Sequence, residues 1–495
     1  MQHKTKVIII GSGLGGLSCG AILAKNGFEV SVLEQGSHIG GCLQCFERRG
    51  VRFETGMHFV GSAAPGQTLH RLMRYMEIDS HVKLNALDPS GYDVVGLGGE
   101  RYAFANGREA FVNSLAAHFP HQRAQLTRYV DLIRRIAEAS SIHSLRHAAS
   151  DDALLTEYQL RSVDEVIDSL ITDPTLAKVL AGNLPLYAGE KGKTPFATHA
   201  FIMDFFAQGA YRIVGGSDHV AAALAETIAR YGGEVRTNCR VEHILTQEKQ
   251  AIGVEIEGGE RIEAPIVISD THPVRTIEMV DKSVFRPAFR RRIQSLPNTV
   301  GCFSVYLHFK ENAVPYMNHN YYGYNTDEVW GSEQYTDKDW PRSFLYMHFC
   351  HEENPRYAKA GVVLAPMRME TLQQWQGTTV GKRGVDYQQF KHEHAERLLA
   401  SLDTHFPHLS EQVAHYYAST PLTYLDYTGT VGGSMYGIAK DVSLDMARRI
   451  PCRTQVRGLY QTGQNIVFHG MLGVLIGSLV TCSEFIDADE LFSKL

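Results

Sequence analysis

The sequence predicts an α/β protein built on a parallel sheet, and three observations near the start of the chain predict this class. Val7 to Ile10 is an uninterrupted β-branched run, which is typical of a strand buried on both faces. A glycine-rich segment follows and opens an apolar helix from Leu17 to Asn26. A second strand, Glu29 to Leu33, comes next. Strand, helix and strand in this order form the unit from which parallel sheets are assembled.

The glycine-rich segment, Gly11 to Gly16, has the G-x-G-x-x-G pattern of a dinucleotide-binding turn. Glycines at these places allow a tight turn and let a diphosphate approach the start of the helix, where backbone N–H groups attract negative charge. Glu34 ends the second strand 18 residues beyond Gly16. That spacing is close to the one that places a carboxylate on an adenosine ribose, so the segment predicts a bound dinucleotide.

A second glycine pair, Gly40-Gly41, follows Glu34 after five intervening residues. A nicotinamide-binding domain does not need this pair. The whole series resembles the FAD-binding amine oxidase and phytoene desaturase superfamily, in which the loop crosses close to the diphosphate of an extended FAD. That resemblance implies FAD as the cofactor, and the sequence shows no obvious motif for covalent attachment. Amine oxidases usually have arginine directly after the pair, whereas Cys42 stands here.

Other motifs resemble one branch of this superfamily, the retinol saturases and carotenoid isomerases. Phe53-Glu54-Thr55-Gly56 looks like the F-D-x-G segment that returns to the flavin, and Met57 to Gly61 resembles the G-I-H-Y-V-G run of retinol saturases. His199 to Met203 and Gly209 to Ser217 look like their segment H-x-x-x-x…G-x-Y-x-x-x-G-G-S. Near the C-terminus, Gly458 to Ser478 resembles the segment L-Y-L-T-G-Q-D…G-x-x-G-A/V. The resemblance therefore covers nearly the full chain.

The resemblance implies an α/β fold with a Rossmann-like FAD-binding domain assembled from three sequence segments and a discontinuous α+β substrate domain. The expected FAD-binding segments are 1–67, 210–285 and 421–495, and the expected substrate or cap segments are 68–209 and 286–420. It also implies that a set of mostly small residues contacts the cofactor: Gly11, Gly13, Leu14, Gly15, Gly16, Glu34, Gln35, Gly40, Gly41, Cys42, Val241, Gly463, Gln464, Gly470, Leu472, Gly473 and Val474.

Three polar residues within the resembling motifs are candidates for catalysis. His58 follows the return to the flavin and could donate or shuttle a proton, or it could be a histidine whose hydrogen bonds are satisfied by backbone. Tyr211 and His199 are weaker candidates of the same kind. Cys42-x-x-Cys45 raises the alternative of a redox-active dithiol, although the cysteine spacing of disulfide reductases is longer.

Composition limits the partners. The chain has 495 residues, a net charge of −6 and no concentrated basic face, so nucleic-acid binding is not expected. The 8 cysteines are spread thinly, which favours reduced thiols and a cytoplasmic location. The 23 histidines form no metal-binding motif, so no metal is expected. Only one dinucleotide fingerprint is present, so electrons must come from or go to an external partner.

Residues 68–178 show several amphipathic helical patterns, typical of a cap or substrate domain. Apolar residues of this insert predict either shallow peripheral contact with a membrane or ordinary core packing: Leu154, Leu155, Leu160, Leu170 and Ile171. A second apolar set predicts either a lipophilic tunnel or sheet core: Tyr321, Tyr322, Tyr324, Trp330 and Trp340.

The sequence thus predicts an FAD-dependent oxidoreductase that acts on carbon–carbon double bonds of a lipophilic polyene, by saturating, desaturating or isomerising it. Two alternatives remain open. A flavin amine oxidase would require aromatic side chains on both sides of the flavin. A non-catalytic, membrane-associated redox protein would hold a reducible flavin and accelerate no reaction.

Overall fold

The computed structural model describes residues 4–146, 150–443 and 450–495. The strands, in chain order, are β1 Lys6–Ile10, β2 Glu29–Leu33, β3 Cys45–Arg48, β4 Val51–Glu54, β5 Val60–Gly61, β6 Leu84–Ala86, β7 Asp93–Leu97, β8 Glu100–Phe104, β9 Ala210–Ile213, β10 Glu234–Arg236, β11 Val241–Gln247, β12 Gln250–Ile256, β13 Arg261–Glu263, β14 Ile266–Ser269, β15 Gly301–Phe309, β16 Asn320–Tyr324, β17 Ser343–His348, β18 Ala360–Met367, β19 Val413–Ser419 and β20 Leu459–Gln461.

The α-helices are α1 Leu14–Lys25, α2 Thr68–Tyr75, α3 Arg108–His118, α4 Arg123–Ala139, α5 Ser141–Ser144, α6 Asp152–Leu160, α7 Val163–Leu170, α8 Pro174–Leu180, α9 Phe196–Ala207, α10 Asp218–Arg230, α11 Pro273–Glu278, α12 Pro287–Gln294, α13 Gly384–His405, α14 Pro421–Thr428, α15 Gly470–Cys482 and α16 Ala488–Ser493. Within the described ranges, no helix is both long and apolar enough to cross a lipid bilayer.

A five-stranded sheet contains the predicted first strands. Its order is β10-β2-β1-β14-β20, and all of its pairings are parallel. Val7 and Ile9 pack on one face with α1, α10 and α15, while Ile8 and Ile10 pack on the other face with β11 and β12. Burial on both faces explains why β1 is apolar without alternation. The fingerprint turn and the C-terminal turn after β20 meet at the carboxyl edge of this sheet, where open α/β sheets bind ligands.

A second large sheet has seven strands. Its order is β19-β15-β18-β17-β16-β7-β8, and it is antiparallel except where β16 runs parallel to β7. The hairpin β3–β4 and the small sheet β5-β9-β6 are separate from both large sheets. β9 pairs with Val60 and Gly61 of β5, which brings the segment after Gly209 beside the segment after Gly56.

The burial of two apolar sets bears on two expectations from the sequence. Of the apolar insert residues, Leu154 and Ile171 are buried, and Leu155 and Leu170 pack against the same core; Leu160 alone of the five is largely exposed, at 55%. Core packing therefore accounts for four of the five. The aromatic set also belongs to core: Tyr321, Tyr322, Tyr324 and Trp340 are buried, Trp330 packs against the core, and none of them lines the large cavity described below.

The alternating pattern from Arg261 to Ile268 predicts a single strand. This prediction is wrong, because the structure has two strands in different sheets, β13 and β14. Ala264 and Pro265 separate them, and proline cannot donate a ladder hydrogen bond. β13 pairs with β12, whereas β14 enters the centre of the parallel sheet.

Candidate active site

A cavity of about 960 Å³ extends from the fingerprint turn into the protein. Nearly all of the predicted cofactor residues line it: Gly11, Gly13, Leu14, Gly15, Glu34, Gln35, Gly40, Gly41, Cys42, Val241, Gly463, Gln464, Gly470, Leu472, Gly473 and Val474. Gly16 lies behind this wall. Residues from the two ends and the middle of the chain therefore meet around one space, which is large enough for an extended ligand.

The fingerprint turn is closed by contacts that leave no room for side chains. Gly11 has a φ of +96°, and its N–H donates to the carbonyl of Leu33 at 2.8 Å. A Cβ on Gly16 would lie 2.1 Å from the carbonyl oxygen of Gly11. A Cβ on Gly15 would lie 2.7 Å from the Cα of Gly463 in the C-terminal turn. The glycines thus allow two turns that are distant in sequence to close on each other beside the cavity.

Glu34 is held at the edge of the cavity by the backbone around it. One carboxylate oxygen accepts from the N–H of Ser12 at 2.9 Å and from its hydroxyl at 2.6 Å. The other accepts from the N–H of Gly36 at 2.8 Å. The side chain is thereby fixed before any ligand binds, which suits the ribose-binding role predicted from its spacing.

The start of helix α15 faces the same cavity. Gly470 to Val474, its first five residues, all line the cavity wall, and His469 before them provides no side-chain cap. Uncapped N–H groups and the positive end of the helix dipole favour negative charge at this place. The residues present therefore fit a cofactor whose reduced form is anionic.

The two glycines of α15 give a matched pair of tests. A Cβ on Gly473 would lie 2.6 Å from the Cβ of Phe468, whereas the nearest atom to a Cβ on Gly477 is 3.7 Å away. We expect Gly473→Ala to destabilise the fold by about 1–3 kcal/mol and to weaken flavin binding. Gly477→Ala should be neutral or stabilising by about 0.5–1 kcal/mol, because alanine is the better helix former. Urea unfolding of both variants measures this, and equal effects would contradict it.

His58 lines the cavity, and Glu54 lies behind it. The Nδ1 atom of His58 lies 3.4 Å from a carboxyl oxygen of Glu54, and both side chains are buried. Burial raises the pKa of the Glu54 carboxyl above its ordinary value, although His58 opposes this. With Nδ1 directed to Glu54, Nε2 is the ring nitrogen left for the cavity side. This is the arrangement of an imidazole held by a carboxyl for proton transfer.

A buried guanidinium supports His58 from the other side. Arg212, which is 1% exposed, donates to the carbonyl of His58 at 3.3 Å, to the carbonyl of His319 at 3.1 Å and to Oδ1 of Asn320 at 2.9 Å. Asn320 in turn donates to Asp93 at 2.8 Å, and burial raises the pKa of Asp93 to about 7. Arg212 was not among the residues predicted from the sequence. The feature that could have indicated it is a lone arginine inside the otherwise uncharged strand β9.

The other two predicted catalytic residues lie elsewhere. His199 is fully buried, its ring nitrogens each lie 2.6 Å from the hydroxyls of Tyr129 and Tyr187, and burial lowers its pKa to about 3. Tyr211 is part of β9 opposite Val60 and is half-buried. Neither residue lines the cavity. His199 has the environment of a core histidine, so we do not carry either residue into the proposed mechanism.

The dithiol hypothesis finds little support in the charge state of the thiols. Cys42 lines the cavity, Cys45 lies 3.8 Å from the hydroxyl of Ser217, and both are free cysteines. Burial raises the pKa of each thiol to about 11. Because the thiolate is the reactive form, thiols held protonated in this way are poor partners for disulfide exchange.

Several cavity residues were not singled out from the sequence. Tyr424, Tyr436 and His469 line the wall, with the rings of Tyr436 and His469 4.5 Å apart. A further part of the wall is apolar: Phe59, Leu186, Phe201, Ile202, Phe206, Leu345, Met347, Leu364 and Phe468. These residues come from α9, β17, β18 and the connecting segments, so no local pattern could have grouped them. We refer to this set as the apolar arm of the cavity.

Comparison with known proteins assigns the family. The model of the flavin-containing amine oxidoreductases matches residues 14–368, well over half of the chain. The chain belongs to this family. As a member of the flavin-containing amine oxidoreductases it is a flavin-dependent oxidoreductase, which agrees with the turn, the acid and the helix start that surround the cavity.

Relatives of this flavin-containing oxidoreductase include all-trans-retinol 13,14-reductase of Rattus norvegicus, 29% identical over 100% of this chain and 88% of the relative. The 4,4'-diaponeurosporene oxygenase of Staphylococcus aureus is 24% identical over 54% of this chain and 56% of the relative. Among solved structures, an oxidoreductase from Methanosarcina mazei has a TM-score of 0.65 at 16% identity, covering 96% of this chain and 99% of that chain. The predicted α/β flavoprotein fold is confirmed.

Proposed function

We propose that this protein binds FAD non-covalently and uses it to saturate, desaturate or isomerise carbon–carbon double bonds of a lipophilic polyene, such as a retinoid or carotenoid. The observation that carries the proposal is the cavity itself. One cavity is lined by the fingerprint turn, Glu34, the start of α15, His58 and the apolar arm. The full-length similarity to an all-trans-retinol 13,14-reductase agrees with a substrate of this class.

The cavity residues that are expected to hold the cofactor match the separate chemical groups of FAD. The fingerprint turn offers backbone N–H groups to a diphosphate, Glu34 offers acceptors to the ribose hydroxyls, and the start of α15 offers positive potential. FAD, when bound, supplies the hydride or electron chemistry, and the protein supplies position and exclusion of water. An external donor or acceptor must then exchange electrons with it.

The apolar arm suits a long hydrocarbon. Phenylalanine, leucine and methionine side chains surround this part of the cavity, so a polyene there exchanges contact with water for contact with apolar surface. A conjugated hydrocarbon chain has few polar groups. It therefore loses few hydrogen bonds to water when an apolar wall surrounds it. The arm therefore selects substrates by shape and lipophilicity.

His58 is the group we assign to the proton. Reduction of one double bond adds a hydride and a proton, and desaturation removes them. His58 lines the cavity, Glu54 orients the ring through Nδ1, and Arg212 binds the backbone carbonyl of His58. A positioned histidine is a common proton donor or acceptor in enzyme sites.

A flavin amine oxidase is the second candidate, and one observation favours it. Tyr424 and Tyr436 both line the cavity, as aromatic residues flanking a flavin would. The two candidates differ in which compound changes the flavin colour under anaerobic conditions. Polyene chemistry predicts that retinoids or carotenoids exchange electrons with the flavin, or are isomerised by it, while simple amines leave it oxidised. Rapid bleaching by amines alone would overturn the proposal in favour of amine oxidation.

The cofactor assignment gives a prediction at Glu34. Glu34→Ala removes the ribose acceptors and the clamp on Ser12, so FAD affinity should fall by about 1–3 kcal/mol. Glu29→Ala is the matched control, because Glu29 lies on the same strand, forms an exposed ion pair with Lys6 and does not line the cavity. Titration of flavin fluorescence measures both. FAD that stays with the denatured protein would contradict non-covalent binding.

A further inference from the structure

Asp270 occupies an unusual place for an acid, directly beneath the turn that is expected to receive a diphosphate. It follows β14, its N–H donates to the carbonyl of Ile10 at 2.8 Å, and its side chain lines the cavity. Its carboxyl oxygens lie 2.5 Å from where a Cβ on Gly13 would be, and within similar reach of the Cβ positions of Gly15 and Gly463. The carboxyl therefore fills the space that three glycines leave open.

The groups around this carboxyl do not balance its charge. Burial, together with a smaller contribution from the charge of Glu34, raises the pKa of Asp270 to about 7, and a hydrogen bond from the backbone N–H of Gly16 acts in the opposite direction. Cys42, which faces it from the glycine-pair loop, is held protonated, and Asp270 is one cause of that. His272 bonds to Asn298 and its pKa is lowered by burial, while Arg275 pairs with Glu278.

A diphosphate adds further negative charge to this acidic environment. An ionised Asp270 would repel it and would compete with it for the N–H groups at the start of α1. A protonated Asp270 would remove the repulsion and provide an O–H donor, the kind of group that phosphate oxygens accept. The protonation state of one side chain therefore bears directly on cofactor affinity.

We propose that binding of FAD is coupled to the uptake of one proton at Asp270, so that the neutral carboxylic acid is part of the diphosphate site. This inference rests on the proposed FAD function and adds to it a pH dependence of cofactor retention. Below the pKa of the free site the acid is already protonated, and affinity is greatest. Above it, each binding event must take up a proton, so affinity falls as the pH rises.

The test is the dissociation constant of FAD measured by serial dilution of the holoenzyme and fluorescence of the released flavin. For the wild type we expect a constant value below about pH 7 and a rise approaching tenfold per pH unit above it. Asp270→Asn, which is nearly isosteric and cannot titrate, should bind FAD with little dependence on pH. Glu34→Gln is the matched control: it should bind more weakly at every pH and keep the wild-type slope, with the rise beginning at a lower pH because a negative charge near Asp270 is removed.

A wild-type dissociation constant that stays level from pH 6 to pH 9 would overturn the inference, whether or not Asp270→Asn folds. An equal slope in Asp270→Asn would also overturn it, since the proton would then bind elsewhere. Both results would leave the FAD proposal intact. Failure to bind FAD at any pH would instead contradict the proposed function itself.

Discussion

Gly16→Ala should abolish retention of FAD. The added Cβ would lie 2.1 Å from the carbonyl oxygen of Gly11, and this oxygen is backbone that cannot rotate away. This clash can be relieved if the turn opens. Opening the turn would break the hydrogen bond from the N–H of Gly11 to the carbonyl of Leu33 and displace the start of α1. We expect purified protein without flavin colour and a loss of about 1–3 kcal/mol in the free energy of unfolding.

Gly20→Ala is the control for this variant, because Gly20 lies one helical turn further along α1. There the nearest atom to a new Cβ is the terminal methyl of Ile228, at 2.8 Å, which can move by rotation of its side chain. Gly20→Ala should therefore keep FAD. Bound FAD in Gly16→Ala, measured by absorbance after gel filtration, would show that the close approach of turn and helix is not required.

His58→Phe should slow the reaction of flavin with polyene by roughly 10²-fold or more while FAD stays bound. The substitution removes the proton carried on the ring and the contact with Glu54, but none of the predicted cofactor contacts. Glu54→Gln should give a smaller loss, because it leaves the imidazole in place with a weaker partner. Anaerobic stopped-flow absorbance of the flavin measures the rate in each variant.

His392→Phe serves as the control, since His392 is exposed on α13, away from the cavity. It should leave the rate unchanged. A full rate in His58→Phe, with normal FAD content, would remove His58 from the mechanism and direct attention to other polar residues of the wall, such as Tyr436 and His469.

The parts of the site that the sequence predicted are those specified by local patterns. β2 has the predicted bounds, and α1 begins three residues earlier than the apolar pattern indicated, because glycines continue the helix. The C-terminal turn at Gly463 could be placed only through resemblance to a family. Its contact with Gly15 joins residues far apart in sequence, and no local signal reports such a contact.

The parts that the sequence missed depend on long-range packing. Arg212 became significant only once β9 was seen beside β5, with His58 between Arg212 and Glu54. The aromatic residues near Tyr321 left two interpretations open, since an aromatic run can line a tunnel or fill a core, and burial of both sheet faces decided for core. The apolar arm was found elsewhere, on α9 and the central strands.

The most direct test of polyene chemistry is mass spectrometry and chromatography of a retinoid and a carotenoid after anaerobic incubation with the enzyme, once with reduced and once with oxidised flavin. Our account predicts a changed product in at least one arm: a gain of two hydrogens for saturation, a loss of two for desaturation, or a new geometric isomer of equal mass. Polyenes recovered unchanged from both arms, with amines bleaching the flavin of the same preparation, would contradict it.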